Sequence, residues 1–143
     1  MEILIKPWQE AGANAFLVRQ AVFIVEQGVP VELELDEYDS LAVHALALVG
    51  GRCIGTARLV DLGDGQAQIG RMAVLKPFRG KGAGKQILAK LINLAKSQKA
   101  KSIVLHSQVT AIPFYEKLGF QAEGSTYDEA GIPHRNMILL LPN

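Results

Sequence analysis

Three glycines crowd together directly before a predicted helix, in the stretch FRGKGAGKQILAKL from Phe78 to Leu91. Glycine costs roughly 1 kcal/mol relative to alanine inside a helix, so this spacing needs a reason. The start of a helix leaves four backbone N–H groups without partners and carries a partial positive charge. Because glycines let a ligand approach that backbone closely, the stretch predicts an anion site for a phosphate, most simply a pyrophosphate.

The basic residues around the glycines strengthen this prediction. Arg79, Lys81 and Lys85 would add charge and hydrogen-bond donors to the backbone site. The alternative is a plain strand-to-helix turn with solvated lysines, for which one glycine would be enough. Two common phosphate motifs do not fit, because Gly80 and Gly84 are one residue too close for the Walker pattern and because the dinucleotide pattern G-x-G-x-x-G lacks its third glycine.

Alternating apolar residues and glycine turns predict an α+β chain. Gly50-Gly51 and Asp64-Gly65 each follow a strand-like run, and such dipeptides favour tight hairpins. A helical period begins near Gly82. Predicted strands cover 1–6, 41–49, 52–60, 66–75, 103–106, 120–127 and 135–141, and predicted helices cover 13–27, 82–97 and 110–118. This order predicts one mixed sheet with helices on its faces.

The composition limits what the chain can do. Its 143 residues fit one domain, and hydrophobic residues make up 49% of them, which is enough for a core. A net charge of +1 argues against a general nucleic-acid binder, and no apolar run approaches the roughly 20 residues of a membrane span. The amino terminus lacks the apolar stretch of a signal peptide, and the single cysteine, Cys53, fits a reducing compartment. We therefore expect a cytoplasmic protein without a membrane or nucleic-acid partner.

Several segments together resemble one protein superfamily. Residues 79–84, RGKGAG, match the pattern R/Q-x-x-G-x-G/A, and they follow the strand-like segment IGRMAVLKP. AIPFYEKLGF resembles a later helix-and-turn motif, while VRQAVFIVEQGVP and GIPHRNM resemble small bacterial proteins of the ElaA-like and YjcF-like subgroup. The chain therefore resembles the GNAT superfamily of N-acetyltransferases over nearly its whole length. This resemblance implies a single GNAT domain over residues 1–143, with a mixed central sheet of about six to seven strands and helices on both faces.

The resemblance also implies acetyl-CoA as a co-substrate and no metal. The glycine loop would cradle the pyrophosphate, and the fourth strand, splayed from the fifth by a bulge, would offer its backbone to the pantetheine arm and the thioester oxygen. Many relatives carry asparagine at the position of Gln108, which offers the same amide on a longer arm. Coenzyme contacts are expected from Met72, Ala73, Val74, Arg79, Gly80, Lys81, Gly82, Ala83, Gly84, Lys85 and Gln108. The three histidines and one cysteine show no metal-ligand spacing.

Three residues are candidates for the chemistry of acetyl transfer. Tyr115 falls where many GNAT enzymes carry a tyrosine beside the coenzyme sulfur; its phenol could protonate the leaving thiolate, or the ring could simply belong to the core. Glu26 could serve as the general base for the amine, or lie in solvent at a helix end. His134 could face the acceptor cleft, or be a surface or structural histidine. His44 and His106 lie in apolar runs, which favours structural roles.

The sequence favours an acetyl-CoA-dependent N-acetyltransferase that moves an acetyl group to a primary amine by direct attack in a ternary complex. A covalent intermediate is not favoured, because no histidine stands at a suitable spacing from Cys53. The acceptor stays open among a small amine, an amino sugar, a polyamine and a protein lysine. The acidic run from Glu32 to Asp39 could draw a cationic acceptor, although most such runs are solvated.

Two alternatives and one further question stay open at this point. The same fold could hold acyl-CoA as a sensor or regulator without turnover, and an intact Tyr115 argues mildly against that alternative. The chain could also transfer an acyl group other than acetyl, because the acyl pocket is not legible in the sequence. Both a monomer and a homodimer are compatible with the sequence.

Overall fold

The computed structural model describes residues 1–142 and contains, over that range, seven strands and four α-helices. The strands are β1 (Glu2–Pro7), β2 (Val43–Val49), β3 (Arg52–Gly63), β4 (Gln66–Val74), β5 (Ser102–Gln108), β6 (Gln121–Glu129) and β7 (Ile132–Leu140). The helices are α1 (Trp8–Arg19), α2 (Val31–Glu34), α3 (Ala83–Ser97) and α4 (Ile112–Glu116). A π-helical segment, Gln20–Glu26, continues α1.

The strands form one mixed sheet in the order β1-β2-β3-β4-β5-β7-β6. β4 and β5 pair in parallel, whereas the other neighbouring strands pair antiparallel. The predicted Gly50-Gly51 turn joins β2 to β3, and both glycines have positive φ, at +57° and +81°. Tight hairpin turns need positive φ at these positions, which explains why the sequence signal was reliable. The seven-stranded mixed sheet confirms the predicted fold class.

Helices cover both faces of the sheet, as predicted. On one face, Leu46 of β2 packs with Ala11 and Ala15 of α1. Its neighbours Ala45 and Ala47 belong to the larger cluster on the other face, which includes the buried stripe of α3. Successive residues of a strand point to opposite faces, so this alternation places α1 and α3 on opposite sides of β2.

The parallel pair at the centre of the sheet separates along its length. β4 and β5 pair only through residues 66–68 of β4 and 102–104 of β5 within the described range. On its other side, β4 shifts register against β3 between Gly70 and Ala73, and Arg71 has a φ of +53°. A bulge bends the strand that carries it, so the second half of β4 leaves β5 and opens a gap. This bulge and splay agree with the expectation from the GNAT resemblance.

The first helix differs from the prediction. It begins at Trp8 and not at Ala13, because Pro7 caps it with a fixed φ of −71° that suits a helix start. Gly12 obscured this start in the sequence, since glycine disfavours helices. In the structure Gly12 leaves room for the Trp8 ring, which would lie 3.1 Å from a Cβ at that position.

The last hairpin is longer than predicted. β6 runs to Glu129 and β7 begins at Ile132, with Ala130 and Gly131 in the turn at φ +53° and +80°. The prediction ended the first of these strands at Tyr127, because an alanine at positive φ is not a turn signal that sequence alone supplies. The extra length places Glu129 in a strand that pairs with β7.

Candidate active site

A cleft of about 1030 Å³ opens at the point where β4 and β5 separate. Its walls come from β4, the start of α3, the ends of β5 and β6, α4 and β7, and from the segment around α2. Nearly all of the residues predicted to bind coenzyme or to act in chemistry line this cleft. The exceptions are Glu26 and Lys81.

The glycine loop forms one rim of the cleft and leads directly into α3. Gly80 and Gly82 have φ values of +78° and +85°, a region that other residues rarely adopt. Gly82 caps α3, no side chain caps the first turn, and a Cβ built on Gly82 would meet nothing within 4 Å. The helix start is therefore open to an anion. Gly84 has a different constraint, because a Cβ there would lie 3.3 Å from the Phe114 ring.

The cations of the loop differ in where they point. Lys85 lines the cleft near the start of α3. Lys81 is exposed and does not itself line the cleft, although its Nζ lies 5.9 Å from the centre of the ring of Phe78, which does. The structure therefore places Lys85, but not Lys81, among the groups that face the opening.

Arg79 is held by two partners. Its Nε donates a hydrogen bond to the Val74 carbonyl at 2.8 Å, and its terminal nitrogens bind both carboxylate oxygens of Glu26 at 2.7 and 2.8 Å. The hydrogen bond from Arg79 holds the pKa of Glu26 below its ordinary value. A general base with a lowered pKa and both oxygens occupied is a poor one. The geometry thus argues against the predicted role of Glu26, and instead gives it the role of orienting Arg79.

The second half of β4 offers free backbone to the gap. Met72, Ala73 and Val74 line the cleft and lie beyond the last residue of β4 that pairs with β5. The Ala73 side chain is buried with Val18 and Val22, as expected for an ordinary strand residue. The Ala73 side chain therefore serves packing. Backbone on the β5 side of this segment is not used by the sheet, although the Val74 carbonyl accepts the hydrogen bond from Arg79.

Tyr115 lies on the cleft wall with its ring in the core. The ring makes edge contacts with Phe114 and Phe120, at centroid distances of 5.0 and 5.9 Å. Burial raises the pKa of Tyr115 to about 12. No hydrogen bond to its hydroxyl is found within residues 1–142. The phenol therefore remains protonated at neutral pH, and its proton is not committed to another group of the described chain.

Gln108 is engaged with a residue that the sequence did not suggest. Its Nε2 donates to Gln27 Oε1 at 2.9 Å, and Gln27 Nε2 donates back to Gln108 Oε1 at 3.3 Å. Both residues line the cleft. The pair joins the end of the first helical region to the end of β5, so a coenzyme contact of Gln108 would compete with these hydrogen bonds.

His134 lies on the cleft wall, in a cluster with Glu129 and His106. His134 is 7% exposed, its Nδ1 lies 2.7 Å from the Ile132 carbonyl, and its Nε2 lies 3.5 Å from Glu129 Oε2. The other carboxylate oxygen of Glu129 lies 3.0 Å from His106 Nδ1. His106 is exposed and contacts Glu129, so it is not the buried histidine that its apolar surroundings in the sequence suggested. The expected structural role was right for His44, which is buried with Nε2 2.9 Å from the Asp39 carbonyl.

The acidic run is only partly solvated, because three of its five carboxylates, those of Glu34, Asp36 and Asp39, meet buried arginines. Arg19 binds Glu34 and Asp39, and Arg58 binds Asp39 and Asp36 at 2.9 and 2.7 Å. Burial would raise the pKa of Asp39, but the hydrogen bonds and charges of the two arginines outweigh it and lower that pKa.

These ion pairs pin the segment around α2 to the sheet, where it forms one wall of the cleft. Arg71 extends the network by binding Asp36 at 3.1 Å. The sequence signal that could have predicted the network is three arginines at positions 19, 58 and 71, inside otherwise apolar segments.

A mixed sheet whose central parallel pair opens beside a glycine-lined helix start defines the acyl-CoA N-acyltransferase class of folds. Residues 11–141 match the model of the acetyltransferase (GNAT) domain, and the chain therefore belongs to the GNAT acetyltransferase family. Within residues 1–142, no helix is long and apolar enough to cross a membrane, and no cluster of side chains suits a metal ion.

Known proteins of the same subgroup are similar over almost the whole chain. A Bacillus subtilis protein named as an uncharacterised N-acetyltransferase, YjcF, is 34% identical over 96% of this chain and 99% of its own length. The crystal structure of Escherichia coli ElaA superposes with a TM-score of 0.86 at 26% identity, covering 96% of this chain and 98% of that one. The predicted resemblance is thereby confirmed.

One further structure bears on the ligand. A Bacillus anthracis protein, described as a candidate streptothricin acetyltransferase and solved in complex with acetyl coenzyme A, superposes with a TM-score of 0.61 at 25% identity. The match covers 71% of this chain and 63% of that one. Acetyl-CoA is therefore a ligand known for this fold family.

Proposed function

We propose that this protein is an acetyl-CoA-dependent N-acetyltransferase that acetylates a primary amine by direct attack in a ternary complex. The observation that carries the proposal is the opening of α3 toward the cleft: Gly82 has left-handed φ, empty space beside its Cα and no side-chain cap. That arrangement suits a pyrophosphate, which would accept hydrogen bonds from the first amides of α3.

The other residues of the coenzyme half complete the binding site. Lys85 adds positive charge beside the backbone of residues 80–84, while Arg79, whose charge is matched by Glu26, would bind the coenzyme when that exposed pair opens. The backbone of residues Met72, Ala73 and Val74 lies beyond the β4–β5 pairing, and apart from the Val74 carbonyl held by Arg79 it supports hydrogen bonding to the pantetheine arm and to the thioester oxygen, where negative charge develops during attack. Gln108 is a coenzyme contact only if its hydrogen bonds to Gln27 open.

Acetyl-CoA supplies the activated acetyl group, and Tyr115 supplies a proton for the sulfur that leaves. A phenol whose pKa is about 12 holds its proton at neutral pH, so it can donate to a thiolate. Cys53 is not used as a nucleophile, because burial raises the pKa of its thiol and its Sγ lies against the Gly55 carbonyl. A single half-buried thiol without a disulfide partner supports the proposal of a cytoplasmic protein.

An acceptor screen tests this function. Wild-type protein with saturating acetyl-CoA is incubated with amines of each class, namely a monoamine, a polyamine, an amino sugar and a lysine peptide, and the release of free coenzyme A thiol is followed. We expect release that depends on protein and on amine. Calorimetry with acetyl-CoA runs beside it, because tight binding without release for any amine would favour the non-catalytic sensor instead.

A further inference from the structure

Three carboxylates line the cleft, and one of them has different partners from the other two. Glu34 is paired with Arg19, and Asp36 with Arg58 and Arg71. Glu129 faces two histidine rings across the ends of β5, β6 and β7. The negative charge of Glu129 is therefore not cancelled by a permanent cation, whereas the charges on the α2 side of the cleft are matched.

The hydrogen bonds of His134 determine which nitrogen can meet a ligand. A carbonyl oxygen only accepts, so Nδ1 must carry a proton and donate it to Ile132. In the neutral ring, Nε2 is then a bare acceptor, and it faces Glu129 Oε2, another acceptor, at 3.5 Å. When the ring is neutral, two acceptors thus face each other, and an N–H donor between or beside them would satisfy both.

We propose that Glu129 and His134 form the site that binds the ammonium group of the acceptor and removes its proton. This inference rests on the proposed N-acetyltransferase function and names two groups that touch the acceptor. An ammonium has three N–H donors, which suits a carboxylate oxygen and a bare imidazole nitrogen on one wall. Hydrogen bonds between a cation and a carboxylate are among the strongest in proteins.

The charges around the cleft also define the acceptor class. On the α2 wall each arginine is already matched by a carboxylate, so no free cation is offered there to an acceptor carboxylate or phosphate. Glu129 leaves the opposite wall acidic. The acceptor is therefore a cationic primary amine that carries no anionic group.

Register places His134 beside the end of β5. His134 is opposite Gln108, the last residue of β5, in the β5–β7 pairing. Tyr115 lies on the short helix that follows β5, and it lines the same cleft. The amine site and the proposed proton donor therefore flank the open end of β5.

The proton balance of the step can be stated. Glu129 takes one proton from the ammonium, and the freed lone pair forms the C–N bond to the acetyl carbon while the C–S bond breaks. Tyr115 gives its proton to the departing sulfur and recovers one from the nitrogen that has become part of the amide. The proton on Glu129 leaves through His106, which is exposed to solvent. The products are an N-acetyl amine, coenzyme A thiol and one released proton.

The test compares Glu129→Gln with Glu123→Gln, a matched change at an exposed position of the same strand that does not line the cleft. The probes are pentylamine and 6-aminohexanoate, two open-chain amines that differ in a terminal carboxylate. We expect wild type to acetylate pentylamine far better than 6-aminohexanoate. We expect Glu129→Gln to lower kcat/KM for pentylamine at pH 7 by about 100-fold, within the usual range for acid–base catalysis.

The pH profile separates proton removal from a structural effect. The groups that contact Glu129 are His106 of β5, His134 of β7 and the nearby Tyr127 of β6, whose pKa is raised by burial and by the Glu129 charge. An alkylamine loses its own proton near pH 10, like lysine. The deficit of Glu129→Gln should therefore shrink between pH 7 and pH 10, whereas a distorted site would stay impaired at every pH.

A binding measurement gives a readout that does not depend on turnover. With coenzyme A in place of acetyl-CoA no transfer can occur, and calorimetry can then follow pentylamine binding to the complex. Loss of a charge-assisted hydrogen bond should weaken this binding at least about tenfold in Glu129→Gln. Glu123→Gln should bind pentylamine as wild type does.

The possible outcomes separate the two proposals. A wild type that does not bind acetyl-CoA would overturn the proposed function, and this inference with it. A wild type that acetylates pentylamine, together with an equally active Glu129→Gln, would overturn this inference alone. Binding of acetyl-CoA without acetylation of pentylamine, or a preference for 6-aminohexanoate, would overturn the acceptor class.

Discussion

The two halves of the cleft are built in different ways. The half proposed to bind the coenzyme, called the coenzyme half below, depends on one continuous segment, residues 79–85, and on the backbone of the adjoining half of β4. The acceptor half is assembled from side chains of α2, β3, β4, β5, β6 and β7, which meet only in the folded protein. A ligand that is the same in every family member can be recognised by a local backbone motif, whereas an acceptor is recognised by side chains that long-range packing brings together.

The ion pairs of the two halves differ in the same way. In the coenzyme half, the Arg79 and Glu26 side chains are 38% and 37% exposed. On the acceptor side, the Arg19 and Glu34 side chains are each 1% exposed. Exposed pairs are screened by water and contribute little, whereas removing one partner of a buried pair leaves an uncompensated charge. Stability should therefore depend on the acceptor half, and coenzyme affinity on the loop.

The largest effect is expected from Arg19→Met on the acceptor side. The change leaves Glu34 and Asp39 buried without their main cation, which should lower the free energy of unfolding by about 3–5 kcal/mol. Denaturant unfolding measures it. The matched control is Lys6→Met, which removes the exposed Lys6–Glu10 pair and should cost at most about 1 kcal/mol. Equal losses in the two variants would remove the contrast between buried and exposed pairs.

The stability contributed by these ion pairs should depend on pH, and the direction of that dependence follows from the pKa shifts of the two aspartates. The pKa values of Asp36 and Asp39 are lowered in the folded state, so their contribution to stability is present above the unfolded pKa of about 4 and is lost as pH falls through the folded values. Wild type should therefore lose stability below about pH 4. Its advantage over Arg19→Met should narrow there, because Asp39 becomes protonated in both proteins. An advantage that stays constant down to pH 2 would contradict the assignment.

Gly82→Val should break the coenzyme half while leaving the other half intact. The side chain would enter the space beside the open amides of α3 and remove hydrogen bonds to a charged phosphate, which should weaken acetyl-CoA binding by about 100-fold or more. Gly51→Val is the control, since Gly51 also has positive φ and open space but lies in the β2–β3 hairpin. Similar calorimetric affinities for both folded variants would overturn the phosphate site.

Tyr115→Phe tests chemistry at the boundary of the two halves. The ring and its contacts with Phe114 and Phe120 remain, so the melting temperature should change little. Without the phenol proton, kcat should fall by about 100-fold at unchanged acetyl-CoA affinity. A donor with a more acidic leaving thiol should lose less, because its thiolate needs less help. A core role would predict the opposite: a shifted melting temperature with kcat preserved.

The smallest effect is expected for Lys85→Ala, which tests how much charge attraction contributes to coenzyme binding. Lys85 is exposed to solvent, where salt screens its charge. Its contribution to acetyl-CoA binding should therefore be at most about 1 kcal/mol, or roughly fivefold in affinity at low ionic strength. Added salt should erase most of this difference. Lys96→Ala, in the last turn of the same helix, is the control that should leave affinity unchanged. A salt-independent affinity in wild type would mean that the loop lysine is not used.

The sequence by itself determined the features that depend on neighbouring residues. The Gly50-Gly51 hairpin and the glycine-lined start of α3 follow from local backbone preferences, because glycine at positive φ is required wherever the turn forms. The order of strands and helices, and with it the GNAT fold, could be predicted for the same reason. Tyr115 and the glycine loop were predicted from motifs of fixed spacing, which can be recognised in a single sequence.

Only the tertiary structure decided which charged groups meet. Glu26 pairs with Arg79, 53 positions further along the chain, and this changes it from a candidate base into a group that orients the loop. The acidic run became a buried network because arginines at positions 19, 58 and 71 converge on it. Glu129 became a candidate for binding the acceptor only because β6 and β7 place it between His106 and His134. Charge pairs form between residues that are distant in the sequence, so no local sequence pattern predicts them. Backbone conformation, in contrast, depends on neighbouring residues and leaves a local pattern that can be recognised.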